Sequence, residues 1–404
     1  MNSGATSSGD QSGGSVEVVK DRQGIDQVLL RSSGGFSARV SLYGGQVRSW
    51  MTDRGEELLF TSSKAVFRPP KAVRGGIQIC FPQFAKSGTL EQHGFARNRL
   101  WVIEKNPPPF AVRTDSDGKA FVDLLLKPSD EDLKIWPHSF ELRLRICLAP
   151  KGNLSLISRV RNMNCKPFSF SFAFHTYFSI SDISEVRIEG LETQDYLDNL
   201  LQRERFTDQG NSLTFESEMD RVYINTSSKV AILDHEKKRT YIIMKEGLPD
   251  VELKQTNAHA LCYHSVQNGR PLWILVALAK IWEVKVKPET SEVRLDICAY
   301  RITLNRRLRS DSVAKIMLTP FNQSVPTLGH MSMSTLVDYV PVSVMFDTLV
   351  WNPWERKSKA MADFGDDEYK RTLCVDGASV EKPITLKLGQ EWTGRLDLFL
   401  RHSS

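Results

Sequence analysis

One short stretch, Arg74–Arg97 (RGGIQICFPQFAKSGTLEQHGFAR), concentrates side chains able to grip a polar ligand. Arg74 and Arg97 carry rigid forks of donors suited to phosphate or carboxylate, and ordinary surface ion pairing is the plain alternative for both. Gln92 and His93 sit side by side between them. A second candidate is His175, which ends the alternating run FSFSFAFH over Phe168–His175. An imidazole titrates near neutral pH and can serve as a general acid, whereas a hydrogen-bonded structural histidine is the plain reading. Asp220, in EMDRVYIN, stands at the entry to a short strand, where acids more often form turns than bind ligands. Asp376, in LCVDGA, follows a β-branched run and precedes Gly377, which places its carboxyl at a strand end facing a cleft, or in a plain turn.

The elements that must position these groups are strands. Ile77 to Phe81 is a short apolar run bounded by Gly75-Gly76 and Pro82, the pattern of a buried strand with polar groups at its ends. Phe168, Phe170, Phe172 and Phe174 share one face of their strand, and Ser169, Ser171, Ala173 and His175 share the other, so a small-residue face leaves room for a ligand beside His175. Phe36–Tyr43, Ala120–Leu126 and Phe140–Cys147 also read as strands, and Gly152-Asn153 before Leu154–Val160 predicts a hairpin. Long helical periodicities are scarce. The expected architecture is all-β, mainly antiparallel, a large sandwich with short helices at its margins.

Composition narrows the function classes. With 404 residues, 41% of them hydrophobic, the chain can bury a large core. A net charge of +5 from 53 basic and 48 acidic residues, without a dense basic block, argues against nucleic acid as a partner. The longest apolar stretch, Pro271 to Ile281, is too short to span a bilayer, so no membrane is expected. Six cysteines without a CxxC pair suit reduced thiols in the cytoplasm and offer no metal site. The Ser/Gly-rich residues 1–16 read as a flexible tail without targeting features.

RGGIQICFPQF with QHGFAR, then FHTYF, MDRVYIN, WNPWERKSKAMADFGDDEYK, CVDGA and ITLKLGQEW, in that order, resemble the glucose-6-phosphate 1-epimerases, the hexose-phosphate branch of the aldose 1-epimerase (galactose mutarotase) family. DFGDDEYK looks most like the plant, apospory-associated members. The resemblance covers residues 17–251 and 347–400. It implies a galactose mutarotase-like β-supersandwich that interconverts the α and β anomers of a hexose 6-phosphate by acid/base ring opening, as a monomer with no cofactor and no metal. Carried over motif by motif, it implies that His175 and Asp376 are the catalytic pair. Arg74, Gln92, Arg97 and Asp220 become substrate contacts, with His93 a further candidate. Many members carry glutamate where this chain has Asp376, a base shorter by one methylene. A non-catalytic sugar-phosphate-binding protein is the rival reading.

One segment departs from the pattern. Val251 to Asp347 separates motifs that nearly adjoin in the family, and it shows no sustained period of 2 or 3.6. A single domain over 17–400 interrupted by a poorly ordered 251–347 insertion is therefore expected. Translated intron sequence, an extruded loop and an added module are its competing origins. Its Cys262, Cys298, His259, His264 and His330 are too irregularly spaced for a zinc site.

Overall fold

The protein is described by a computed structural model over residues 14–86, 88–107, 119–164, 166–248, 292–297, 300–305, 315–320 and 347–402. The chain forms two compact units, Met1–Pro249 with Val342–Ser404, and Asp250–Pro341.

In the larger unit, antiparallel strands assemble into an 11-stranded and an 8-stranded sheet. Side chains from both enter one hydrophobic cluster, so the sheets pack face to face as a sandwich. The alternation in Phe168–Ser179 explains how one strand serves two environments. Phe168, Phe170, Phe172 and Phe174 are all buried in the inter-sheet core. Ala173 faces away, into a smaller apolar cluster with Cys80, Leu197, Val222, Leu349 and Ala378. The predicted strands are present at Ser37–Ser41, Ile77–Cys80 and Ala120–Leu126, and the hairpin pairs Phe140–Leu148 with Leu154–Asn162. Two short α-helices lie among the described residues, Asp130–Ile135 and Trp354–Ala360. The first is closed by a capping box between Ser129 and Asp132.

Five neighbouring strands of the larger sheet form the floor of the candidate site, and three of them carry His175, Asp376 and Asp220, while Arg74, Gln92, His93 and Arg97 lie on the connecting segments. The order of the five is Ile77–Cys80, Phe168–Ser179, Thr372–Leu386, Asp347–Asn352 and Met219–Tyr223, each antiparallel to the next. Two sequence expectations shift here. Asp376 lies inside a long strand, Thr372–Leu386, instead of at a strand end, and Asp220 lies within Met219–Tyr223 instead of before it. Gly377 reads as a terminator, yet it continues the ladder. A Cβ there would come 3.2 Å from Leu396 Cδ1 of the opposing sheet, so its small size answers to close sheet packing.

Ser15–Lys20 is a strand paired with Asp26–Arg31, so regular structure begins within the stretch read as a tail. Inside the second unit, Glu292–Ile297, Tyr300–Asn305 and Lys315–Pro320 form a 3-stranded antiparallel sheet of their own. Apart from Asp347, which begins the strand Asp347–Asn352, the rest of the expected insertion, including Pro271 to Ile281, Cys262, Cys298, His259, His264 and His330, lies outside the described residues.

Candidate active site

Sheet register brings His175 and Asp376 together. Phe174 pairs with Gly377 and Tyr177 with Cys374, which sets His175 beside Asp376 on the face turned away from the sandwich core. His175 Nδ1 lies 2.6 Å from Asp376 Oδ2, and Asp376 Oδ1 accepts the Thr176 N–H at 2.8 Å. Both side chains are buried, Asp376 to 1% exposure. On the other side of the ring, His175 Nε2 is 3.0 Å from the Tyr177 hydroxyl.

Arg74 joins this chain of hydrogen bonds from the loop before Ile77–Cys80. Its Nη1 donates to Tyr177 Oη at 3.2 Å, while Nε and Nη2 donate to the two oxygens of Asp363 at 3.2 and 3.1 Å. The Tyr177 phenol and the Asp363 carboxylate hold the Arg74 guanidinium above its ordinary range against the opposing cost of burial.

Arg97 enters from the other end of the same stretch. Its Nη1 donates to Gln78 Oε1 at 2.9 Å, and Gln78 pairs in register with His175. Its Nη2 donates to the Gln92 carbonyl at 2.7 Å. Arg97 Nε is buried without a hydrogen-bond partner, a donor that an anionic oxygen would satisfy. Gln92 contributes its main chain to this arrangement, and its side chain faces solvent.

His93 stacks on His175, ring centroids 5.3 Å apart and 21° between planes. Its Nδ1 accepts the Ala85 N–H at 3.2 Å, so a neutral ring keeps its proton on Nε2 as a donor. Burial, then the charges of His175, Arg97 and Arg74, push its pKa down to about 2, and the ring is neutral at working pH.

Asp220 stands at the far side of the group. It accepts from Asn199 Nδ2 at 2.8 Å and lies 3.6 Å from Lys357 Nζ. Asp220 pairs in register with Trp351, whose ring is 6.3 Å from that of His175 and 5.8 Å below the Lys357 ammonium. The catalytic candidates, His93 and both arginines thus form one contiguous network, and Asp220 adjoins it across Trp351.

Sequence reasoning did not single out Tyr177, Gln78, Trp351, Lys357 or Asp363. Tyr177 had a legible signal, since it shares the face of His175 two residues on. Asp363 had none, because its pairing with Arg74 spans most of the chain. No group of three or more metal-ligating side chains occurs among the described residues.

The family model for aldose 1-epimerase matches residues 26–295 and 343–398. This chain belongs to the aldose 1-epimerase family. The interruption in the match, 296–342, falls within the segment that departs from the sequence motifs. A relative from Cenchrus ciliaris, provisionally named a glucose-6-phosphate 1-epimerase, is 47% identical over 385 residues, covering 95% of this chain and 87% of the relative. An Escherichia coli K12 protein with the same provisional name is 30% identical over 223 residues, 54% of this chain and 71% of its own. Among solved structures, a Salmonella typhimurium protein (YeaD), provisionally named a mutarotase, has a TM-score of 0.61 at 19% identity, covering 96% of this chain and 97% of that one. The structure of HI1317 has a TM-score of 0.56 at 17% identity, covering 96% and 100%. At those identities the structural likeness speaks for the epimerase fold alone.

Proposed function

We propose that this aldose 1-epimerase family member interconverts the α and β anomers of glucose 6-phosphate. The observation that carries the reading is the buried His175–Asp376 pair, 2.6 Å apart, set among a neutral histidine and two arginines. Ring opening requires a base to take the proton from the C1 hydroxyl as the C1–O5 bond breaks, and an acid to protonate the departing ring oxygen. Closure on the other face of the aldehyde, after rotation about C1–C2, reverses both transfers. Asp376 is assigned as the base and His175 as the acid, once the sugar's C1 hydroxyl and ring oxygen replace the hydrogen bond between them. In this reading His93 Nε2–H and Asp220 hold sugar hydroxyls. The Gln92 side chain, expected to contact the sugar, faces solvent, and Gln92 acts through the main-chain carbonyl that holds Arg97, while the arginines meet the 6-phosphate. No metal or organic cofactor enters any step.

One observation favours a second reading, a non-catalytic sugar-phosphate-binding protein. Both oxygens of Asp376 are already engaged, Oδ1 by Thr176 N–H and Oδ2 by His175. Anomer exchange of glucose 6-phosphate followed by NMR separates the two. Acceleration that is lost in Asp376→Asn supports the epimerase, and binding without acceleration establishes the alternative. The proposal extends to a cytoplasmic monomer, which sedimentation and cell fractionation test. No helix among the described residues is long and apolar enough to cross a membrane.

A further inference from the structure

Tyr177 occupies a place between the anion-facing and proton-transferring groups that neither simple packing nor the proposed reaction assigns. Its hydroxyl is within hydrogen-bond distance of two side chains, Arg74 Nη1 at 3.2 Å and His175 Nε2 at 3.0 Å. A guanidinium only donates, so the phenol oxygen accepts from Arg74 and its single proton is left for His175 Nε2. At the other side of the ring, the Asp376 carboxylate accepts, which puts the one proton of the neutral imidazole on Nδ1. The result is a directed chain in which Arg74 donates to Tyr177, Tyr177 to His175 and His175 to Asp376. Burial pushes the Tyr177 phenol above its ordinary range, so it holds its proton as the chain requires.

The start of that chain is tied to an anion. One edge of the Arg74 guanidinium, Nε and Nη2, is held by Asp363, a carboxylate presenting two oxygens much as a phosphate would. Asp363 is part-exposed, whereas Tyr177 is fully buried. A ligand oxygen that competes for Arg74 therefore reaches His175 through Tyr177 and not by touching it.

We propose that Tyr177 is a positioning residue that couples the anion held by Arg74 to the hydrogen bonding of His175 Nε2. The identity of the anion as a sugar 6-phosphate rests on the function proposed above, but the coupling itself does not. The bland alternative is a tyrosine that only packs, since its ring sits 4.6 Å from that of His175 and 6.2 Å from that of Trp351. Tyr177→Phe keeps the ring and removes the hydroxyl, which separates the two.

The test uses the full chain labelled with 15N-histidine and inorganic phosphate as the probe. Among its 8 histidines, the His175 imidazole signals are assigned by their loss in His175→Gln. Phosphate is expected to move the His175 ring-nitrogen resonances in the unmodified protein and to leave them in place in Tyr177→Phe. Equal movement in both proteins, or movement in neither, overturns the coupling. Asp363→Asn supplies an independent arm that keeps the tyrosine. It should shift the same resonances without phosphate, and an unmoved signal counts against the proposal. In turnover, Tyr177→Phe should lower kcat on glucose 6-phosphate by about 10- to 100-fold, with KM changed less than about threefold. Loss of kcat in Tyr177→Phe and in Arg74→Gln should be non-additive in the double variant, as for residues acting as a unit, and additive losses overturn it. If the unmodified protein fails to accelerate anomer exchange, the proposed function falls, while the phosphate titration still decides the coupling.

Discussion

Asp376, Arg97 and His93 make separable predictions because each meets a different part of the problem. Asp376→Asn keeps an acceptor for the Thr176 N–H but removes the charge facing His175 Nδ1. It should lower kcat for anomer exchange by about 100- to 10,000-fold with the fold retained, as NMR kinetics and circular dichroism would register. Arg97→Gln removes the buried Nε donor that lacks a partner and should raise KM for glucose 6-phosphate far more than for glucose. Equal effects on both sugars would count against the phosphate assignment. His93 carries a stability signature. Its pKa is pushed from 6.5 to about 2 by burial and neighbouring charge, so between those values the unfolded chain binds a proton that the folded chain refuses. The stability this confers is complete above pH 6.5 and is lost as pH falls toward about 2, by at most about 1.4 kcal/mol per pH unit. His93→Asn suits the left-handed backbone at φ 65° and keeps an acceptor for Ala85 N–H. Urea unfolding of that variant should show a shallower decline in stability below pH 6.5 than the unmodified chain.

At the scale of elements, the loop that delivers His93 is held by side-chain hydrogen bonds and by a tight backbone turn. Gln83 ties it internally, donating to the Ala85 carbonyl and accepting from Leu90 N–H. Gly94 then turns the chain back at φ 69°, with a notional Cβ only 2.2 Å from the Phe81 carbonyl oxygen. Gly94→Ala must displace that carbonyl or the loop, and should cost about 1–3 kcal/mol in thermal or urea unfolding together with loss of activity. The strand alternation around His175 was legible because a period of two needs only local sequence, and four buried phenylalanines leave no doubt about the core face. The location of Asp376 within its strand was not legible. A glycine next to an acid has the local signature of a turn, whereas Gly377 is held in the ladder by pairing with Phe174 and Thr348, strands distant in sequence.

At the scale of the whole molecule, the described functional residues all belong to the larger compact unit, Met1–Pro249 with Val342–Ser404. The segment Asp250–Pro341 separates the strands Arg239–Leu248 and Asp347–Asn352 in sequence. Closing so long a connection costs on the order of 2–3 kcal/mol more than closing a short one. Excising 250–341 should therefore leave the epimerase sandwich folded, raise its thermal stability and preserve whatever anomer exchange the full chain shows. Calorimetry and NMR on the shortened chain check this, and failure of the shortened chain to fold would make the segment integral to the sandwich.

The sequence by itself determined the all-β class, the core face of the histidine strand, the family likeness and the identity of the residues worth testing. These are properties of composition, short-range periodicity and motif order, which local physics writes directly into the chain. Only the tertiary structure decided which side chains meet. Arg74 is bound to Asp363, Asp376 is sealed against His175 and Thr176, and Tyr177 bridges the arginine to the imidazole. Apart from neighbours on one strand, those contacts join segments far apart in sequence. Their geometry is set by the antiparallel register of Phe168–Ser179 with Thr372–Leu386, by the connecting segments that bring in Arg74 and Asp363, and by burial, and none of these is a local quantity.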